Sequence, residues 1–249
     1  GDGRTNKYDV EAGNNTYDNA VIENSKISEK NKIQNNQSML DDIMNSTQYP
    51  KQLKDIALKN EEALEFVYDY PAEHVKEHTI DLTEEASMDS VPLFVQWDKR
   101  WGYEKYSGNF FAASGCGPTT LSMVVVYLTH NREASPIAVA KYSKEAGYSV
   151  DGSGSSWTLI SEGCMHYGVK AKAVALDESR MKAELDEGHP IVVNVGPGDF
   201  TDTGHFMVIT GYDDEGFSIN DPNSIEKSGK RWLFKNISSQ IRAVWSMYV

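Results

Sequence analysis

The chain has 249 residues, and its 37 acidic and 24 basic side chains give a formal net charge of −13. This acidity argues against nucleic-acid binding, which needs clustered lysine and arginine, and against docking on anionic lipid. No apolar run approaches the roughly 18 residues that span a membrane, and the six histidines and two cysteines lack the spacing of metal ligands. We therefore expect no nucleic acid, membrane insertion, metal or cofactor.

The acidity is concentrated in the first third of the chain. Residues 1–90 carry 19 acidic and 9 basic side chains, whereas residues 91–249 carry 18 and 15. Residues 1–48 are polar and rich in asparagine, and such a composition buries too little apolar surface to offset its ordering entropy. The sequence therefore predicts a disordered polar linker over residues 1–48, a helical and acidic lead-in over residues 49–90 and a compact domain over residues 91–249.

The polar N-terminal stretch also suggests where the protein acts. The chain begins with Gly1 rather than methionine, which is expected of a processed or truncated chain. A long polar tether suits a protein that is held away from a membrane or a cell wall. We expect an extracellular or surface-tethered protein whose signal or anchor segment precedes Gly1.

Hydrophobic periodicity predicts an α+β architecture. In the lead-in, apolar residues recur at three-and-four spacing between Pro50 and Pro71, which predicts a helix, and a short strand is expected at residues 78–82. In the compact domain the patterns predict helices at residues 116–128, 135–147, 157–167 and 177–188. They predict strands at residues 91–97, 169–176, 190–195, 206–212, 217–220, 232–234 and 243–249. Helices thus come first and an antiparallel sheet follows.

The stretch around Cys116 has the features of a nucleophile at a helix start. Gly115 and Gly117 flank the cysteine, Pro118 suits the first turn of a helix, and an almost wholly apolar run follows. The positive end of a buried helix dipole favours the thiolate, and such sites lower a thiol pKa from about 8.5 to roughly 3.5–7.5. The alternative is a buried structural cysteine, because free cysteine is among the most buried residue types.

Three further residues complete the groups that acyl transfer by a thiol requires. His205 stands where a glycine-rich loop enters an apolar strand, Asp221 lies on the next strand, and Gln96 follows an apolar run. The chemistry needs an imidazole to share the proton of the thiol, a group that orients the imidazole and donors for the oxyanion. The second cysteine, Cys164, lies in the middle of an apolar helix and is predicted to be an inert core residue.

Four sequence pieces, in this order along the chain, carry a family resemblance. They are Gln96-Trp97, Ser114-Gly115-Cys116-Gly117-Pro118-Thr119, Gly204-His205-Phe206 and Asn220-Asp221-Pro222. Together they resemble the bacteriocin-processing-like cysteine peptidases of the papain-like superfamily, and the resemblance covers residues 91–249. It implies a papain-like fold in which N-terminal helices pack on an antiparallel sheet. It also implies that Cys116 is the nucleophile and His205 the base. By the same resemblance, Asp221 orients the imidazole and Gln96 is an oxyanion donor.

The best-known members of that family are leader-cleaving domains fused to export transporters. This sequence contains neither membrane spans nor a Walker A motif. It is therefore more similar to the stand-alone, surface-exposed bacterial members than to the transporter domains.

The residue that orients His205 has two candidates, Asn220 and Asp221. In a regular hairpin with a four-residue loop at residues 213–216, Asn220 would share the face of His205. One bulged residue would bring Asp221 to that face instead, and bulges are frequent beside active sites. We favour Asp221, because a carboxylate stabilises an imidazolium better than an amide does.

These observations predict a cysteine peptidase that acts on a peptide or protein substrate. An amidase or transpeptidase acting on wall or isopeptide bonds needs the same four groups and remains an alternative. A non-catalytic surface binding module on the same fold is a second alternative, although such a module would not need Cys116, His205 and Asp221 together. The sequence leaves the oligomeric state open.

Overall fold

The computed structural model describes residues 8–249, and the side chains of residues 16–249. Its helices are α1 Tyr8–Met44, α2 Lys51–Lys59, α3 Leu64–Tyr68, α4 Tyr70–Glu73, α5 Thr83–Ala86, α6 Phe111–Ser114, α7 Cys116–Thr129, α8 Pro136–Glu145, α9 Thr158–Ser161, α10 Glu178–Asp186, α11 Ile225–Ser228 and α12 Phe234–Ile237. Short 3₁₀ turns cover Glu61–Ala63, Gly163–Tyr167 and Ser238–Gln240. The strands are β1 Lys105–Tyr106, β2 Asn109–Phe110, β3 Ser149–Val150, β4 Gly154–Ser155, β5 Lys170–Ala173, β6 Ile191–Val195, β7 His205–Asp213, β8 Gly216–Asn220, β9 Arg231–Trp232 and β10 Ile241–Tyr248.

A six-stranded antiparallel sheet with the order β5-β10-β6-β7-β8-β9 forms the centre of the compact domain. The helices α7, α8 and α9 contribute apolar side chains to the larger core, together with Phe206 and Val208 of β7. The alternate residues Met207 and Ile209 of β7 belong to a second core, with Met181 of α10. Successive side chains of β7 therefore point to opposite faces of the sheet, as expected for a β-strand. The predicted α+β architecture, with helices preceding an antiparallel sheet, is confirmed.

The prediction of disorder for residues 1–48 is wrong where the structure describes them, because residues 8–44 form helix α1. Its C-terminal end is anchored by Ile43, which is fully buried, and by Met39 and Leu40, which pack on the same cluster. Residues 16–44 contain neither glycine nor proline, so a helix that starts from this packed end can propagate. Residues 1–7, which the prediction also covered, lie outside the described residues.

The lead-in is helical, as predicted, but it is not one continuous helix. Helix α2 ends at Lys59. The backbone of the next residue, Asn60, is extended, and its side-chain oxygen accepts a hydrogen bond from the backbone N–H of Glu62. The chain then makes a 3₁₀ turn and continues in α3 and α4. Leu53, Phe66 and Val67 of these helices are buried in a third core, to which residues near the C-terminal end of α1 also contribute.

Two predicted strands are wrong, because residues 78–82 and 91–97 contain no strand. In the second segment the carbonyls of Val91 and Pro92 accept hydrogen bonds from the side chain of Asn220. Pro92 itself has no N–H to donate to a ladder. The predicted helix at residues 157–167 is also interrupted, since α9 ends at Ser161 and a 3₁₀ turn follows. The hairpins β1–β2 and β3–β4 were not predicted, because each strand is only two residues long.

Candidate active site

Cys116 is the first residue of α7, and the residue as a whole is partly exposed while the helix behind it is buried. The residues from Gly117 to Val126 are all buried, which confirms the predicted apolar helix. The two flanking glycines are needed for close packing. A Cβ at position 115 would lie 2.6 Å from the ring of Phe111, and one at position 117 would lie 2.9 Å from Ser155. Glycine at both positions therefore allows Phe111 and Ser155 to pack closely against the backbone on either side of Cys116.

His205 opens β7 and pairs across the sheet with Val195 of β6. Its side chain is buried, and its Nε2 lies 2.6 Å from Oδ1 of Asp221. The imidazole Nε2–H donates this bond to the carboxylate, which leaves Nδ1 as the ring nitrogen available to Cys116. The structure thus brings three of the four predicted residues together from the start of α7, the start of β7 and the end of β8.

A β-bulge decides which residue reaches His205. Tyr212 pairs with Phe217 and Gly211 with Ser218, but the next pair is Ile209 with Ile219, so Thr210 is the extra residue. This shift moves the end of β8 by one residue relative to β7 and brings Asp221 to the imidazole. The Asn220 amide points elsewhere and donates hydrogen bonds to the carbonyls of the segment that leads to Gln96.

The loop after β8 holds the carboxylate of Asp221 in place. Its Oδ1 accepts a second hydrogen bond, from the backbone N–H of Asn223 at 2.8 Å. The backbone N–H of Asp221 donates to Ser228 Oγ, also at 2.8 Å. The other carboxylate oxygen, Oδ2, is buried and has no hydrogen-bond partner among the described residues.

The arrangement favours a thiolate and an imidazolium. Burial opposes ionisation of the Cys116 thiol. The hydrogen bond from His205, the positive charge of that ring and the backbone amide of Phe206 outweigh burial, so the pKa of the thiol lies below its usual value. Burial also disfavours a charged His205. The negative charge of Asp221, its hydrogen bond and the interaction with Cys116 raise the pKa of the imidazole well above its ordinary value.

Gln96 is buried and lines the same cleft as Cys116. Its side-chain Nε2 donates one hydrogen bond to the carbonyl of Ala112 at 2.8 Å, and the second N–H of the amide remains for another acceptor. Its backbone N–H donates to the carbonyl of Pro222 at 2.7 Å, so the residue is tied directly to the Asp221 loop. This geometry suits an oxyanion donor whose position is coupled to that of the carboxylate.

A cleft of about 1240 Å³ contains all four residues. One wall comes from the loop at residues 198–204, which precedes His205. Residues of the lead-in and of α1 also line the cleft, among them Glu29, Ile33 and Glu62. Sequence reasoning missed this contribution, because a polar helix without apolar period carries no local signal that it borders a cleft.

The two cysteines are free thiols in contrasting surroundings, which leads to a prediction. Burial raises the pKa of the fully buried Cys164 thiol to about 11, while the pKa of Cys116 is lowered. Only the thiolate is alkylated, so iodoacetamide at about pH 6 should modify Cys116 well before Cys164. Peptide mapping of the alkylated protein by mass spectrometry measures the order. Preferential labelling of Cys164 would contradict the assignment of Cys116 as the reactive thiol.

The fold is of the cysteine-peptidase type. A family model, described as the Peptidase_C39 like family, matches residues 88–249. The chain belongs to this family, as the resemblance of its motifs predicted.

Two solved structures are similar to this chain. The first is the peptidase domain of Streptococcus ComA, a bi-functional ABC transporter involved in a quorum-sensing pathway. It shows 19% identity and a TM-score of 0.45, covering 64% of this chain and 96% of that one. The second is a protein from Bacillus anthracis described as a C39-like peptidase, with 18% identity and a TM-score of 0.39, covering 64% of this chain and 95% of that one. The search of curated proteins found no match.

Proposed function

We propose that this protein is a cysteine peptidase that hydrolyses peptide bonds through Cys116, His205 and Asp221. The observation that carries the proposal is the hydrogen bond from the His205 imidazole to the buried carboxylate of Asp221, in a cleft that Cys116 also lines and in which the pKa of its thiol is lowered. A nucleophile, a base and a group that orients the base are the three parts that covalent acyl transfer needs. Gln96 adds an oxyanion donor in the same cleft.

In the first half of the reaction, the Cys116 thiolate attacks the carbonyl carbon of the peptide bond. The carbonyl oxygen becomes negative and is stabilised by the free N–H of the Gln96 amide and by the backbone N–H of Cys116 at the start of α7. The His205 imidazolium then donates its proton to the leaving amine, and the C–N bond breaks. A thioester with Cys116 and a neutral imidazole remain.

In the second half, water replaces the departed amine beside His205. The imidazole accepts a proton from the water, whose oxygen attacks the thioester carbon. Collapse of this second oxyanion releases the carboxylic acid and returns the thiolate beside the imidazolium. Asp221 keeps the ring in one orientation and stabilises its charge throughout.

Digestion of a peptide library, with mapping of the new termini, tests the proposal. We expect cleavage by the wild-type chain that disappears after iodoacetamide treatment. Addition of an amine nucleophile separates hydrolysis from the alternatives, because a transpeptidase would join the amine to the new carboxyl terminus. Binding of peptides with no bond cleavage would instead support a non-catalytic binding module.

The extracellular or surface location stays a prediction. None of the helices over residues 8–249 has the length and apolarity that a bilayer crossing requires.

The charge of the cleft predicts the substrate class. Among the described residues that line it, carboxylates clearly outnumber lysines: Glu29, Glu61, Glu62, Glu65, Asp199, Asp202, Asp221 and Glu226 against Lys32, Lys59 and Lys227. A cleft with one sign of charge concentrates substrates of the other sign. We therefore expect kcat/KM for a lysine-rich peptide to exceed that for its glutamate-substituted counterpart by about tenfold at low ionic strength. The difference should shrink as salt rises, because salt screens exposed charges.

Two double variants check this charge effect. Asp202 and Glu226 line the cleft and are exposed, so the change Asp202→Asn with Glu226→Gln should weaken the preference for the lysine-rich peptide. Glu133 and Glu145 are equally exposed but lie outside the cleft, and their change to glutamine removes the same charge. An equal effect of both double variants would show that net charge rather than the cleft governs the preference.

A further inference from the structure

Glu62 of the lead-in holds the loop that follows Asp221. Its carboxylate accepts a hydrogen bond from the hydroxyl of Ser224. The same carboxylate accepts bonds from the backbone N–H groups of Ile225 at 2.8 Å and Glu226 at 3.1 Å. Three donors, from Ser224 and the first two residues of α11, therefore converge on a single side chain that is about 160 residues away along the chain. Glu62 lies outside residues 88–249, which the family model matches.

Asn60 strengthens the same connection. Its side-chain oxygen accepts the backbone N–H of Glu62 at 3.1 Å, which fixes the 3₁₀ turn that carries the carboxylate. Its side-chain nitrogen donates to the backbone carbonyl of Asn223, also at 3.1 Å. Two neighbouring residues of the lead-in thus bind successive residues of the loop.

Other contacts also hold this segment: the indole N–H of Trp97 donates to the carbonyl of Asn223 at 3.0 Å, and the Ser224 hydroxyl accepts the backbone N–H of Lys227 at 3.0 Å as the N-cap of α11. After Asp221 the chain leaves the sheet, and an isolated bridge between Asp221 and Ser224 is the pairing that follows β8. The backbone N–H of Asn223 donates to Asp221 Oδ1, the oxygen that also binds His205. A shift of the residues bound by Glu62 would therefore move the donor that sets the direction of the carboxylate.

We propose that Glu62 is a positioning residue for the active site, which keeps residues 223–226, the loop and the first residues of α11, in the shape that places Asp221 Oδ1 on His205. This inference rests on the proposed function, since it assigns a role toward the same His205 and Asp221. By this role of Glu62, the lead-in at residues 49–90 contributes to the geometry of the active site and is more than a spacer. The action of Glu62 passes through the loop, because its contacts are with Ser224, Ile225 and Glu226.

The test uses the full chain with Glu62→Ala and Glu62→Gln, and with Glu65→Ala as the matched control. Glu65 is a largely exposed carboxylate that lines the same cleft and contacts Lys99 rather than the loop. The first readout is the pKa of His205 from an NMR titration, with the signal assigned by its loss in His205→Ala. The second is the alkylation rate of Cys116 at about pH 6, and the third is the thermal unfolding midpoint. The first two readouts require no substrate.

We expect Glu62→Ala to lower the pKa of His205 and to slow alkylation of Cys116 about tenfold, which corresponds to a rise of one unit in the thiol pKa. Glu62→Gln keeps an acceptor oxygen for the loop and should stay within about threefold of the wild-type rate. Glu65→Ala should match the wild type in both readouts. Equal effects of Glu62→Ala and Glu65→Ala would show a general charge effect and would overturn the proposal.

A lower unfolding midpoint in Glu62→Ala with an unchanged His205 pKa and alkylation rate would also overturn it, because the role would then be structural alone. If Glu62→Ala does not fold, Ser224→Ala removes one of the three donors and should slow alkylation measurably, and an unchanged rate overturns the proposal. Failure of the proposed function looks different. In that case wild-type Cys116 would react no faster than Cys164, and Asp221→Ala would leave the pKa of His205 unchanged.

Discussion

Replacement of Cys116 by alanine is expected to lower kcat/KM for peptide hydrolysis by about 10⁴-fold or more, because the nucleophile of the covalent step is lost. The fold should survive, since Cys116 as a residue is only partly buried and alanine is a strong helix former. The measurement compares initial rates of peptide cleavage at equal concentrations of folded protein. Circular dichroism and the thermal unfolding midpoint verify that the variant is folded.

Cys164→Ala is the matched control for this experiment. Cys164 is fully buried in the larger core, so its truncation should lower the unfolding midpoint while kcat/KM stays within about twofold of the wild type. Substantial peptidase activity in Cys116→Ala would show that the reaction uses another nucleophile. A folded Cys116→Ala variant with wild-type activity would therefore refute the proposed mechanism.

Asp221→Ala should reduce kcat/KM by about 10²-fold, the range expected when acid–base catalysis is disrupted. It should also move the basic limb of the pH–rate profile to lower pH. The sign follows from the pKa of His205, which the negative charge of Asp221 raises. Without that charge the imidazolium loses its proton at lower pH, and the thiolate–imidazolium pair is lost with it. Rates of peptide cleavage across about pH 5 to 11 measure both effects, since this range brackets an ordinary histidine pKa and the raised pKa of about 10 for His205.

Asn220→Ala provides the comparison, because Asn220 is the neighbouring residue and was the competing candidate. Its amide donates hydrogen bonds to the carbonyls of Val91 and Pro92 and not to His205. The loss of this amide should therefore change kcat/KM much less and leave the basic limb of the pH–rate profile in place. The opposite result, with a shifted limb in Asn220→Ala and a small effect in Asp221→Ala, would mean that the hairpin lacks the bulge in solution.

The N-terminal region shows why a prediction of disorder from composition alone was wrong. Residues 1–48 are polar, and a polar segment is expected to stay disordered because it cannot form its own core. Three apolar residues near the end of the segment, Met39, Leu40 and Ile43, nevertheless pack on the core of the lead-in. The partners of these residues lie at positions 53–67 and beyond, so the docking is a tertiary contact that no local pattern reveals.

The nucleophile and its helix could be predicted from the sequence, because their chemistry is local. Gly115, Cys116, Gly117 and Pro118 are consecutive, and the apolar run behind them predicts a buried helix. The apolar runs of β6 and β7 likewise predicted the central strands. His205, Asp221 and Gln96 were candidates through their order along the chain and the family resemblance, since spacing alone did not bring them together.

The choice between Asn220 and Asp221, and the role of the lead-in, depended on the tertiary structure. A single extra residue at Thr210 decides which side chain of β8 reaches His205, and the sequence of a strand does not reveal its register when a bulge is possible. Glu62 accepts hydrogen bonds from the segment after Asp221 only because the folded chain brings the lead-in beside the end of β8. The sequence by itself thus determined the reactive groups and the class of fold, which depend on residue type and local period. The tertiary structure decided which groups face one another, because that depends on register and on contacts between distant segments.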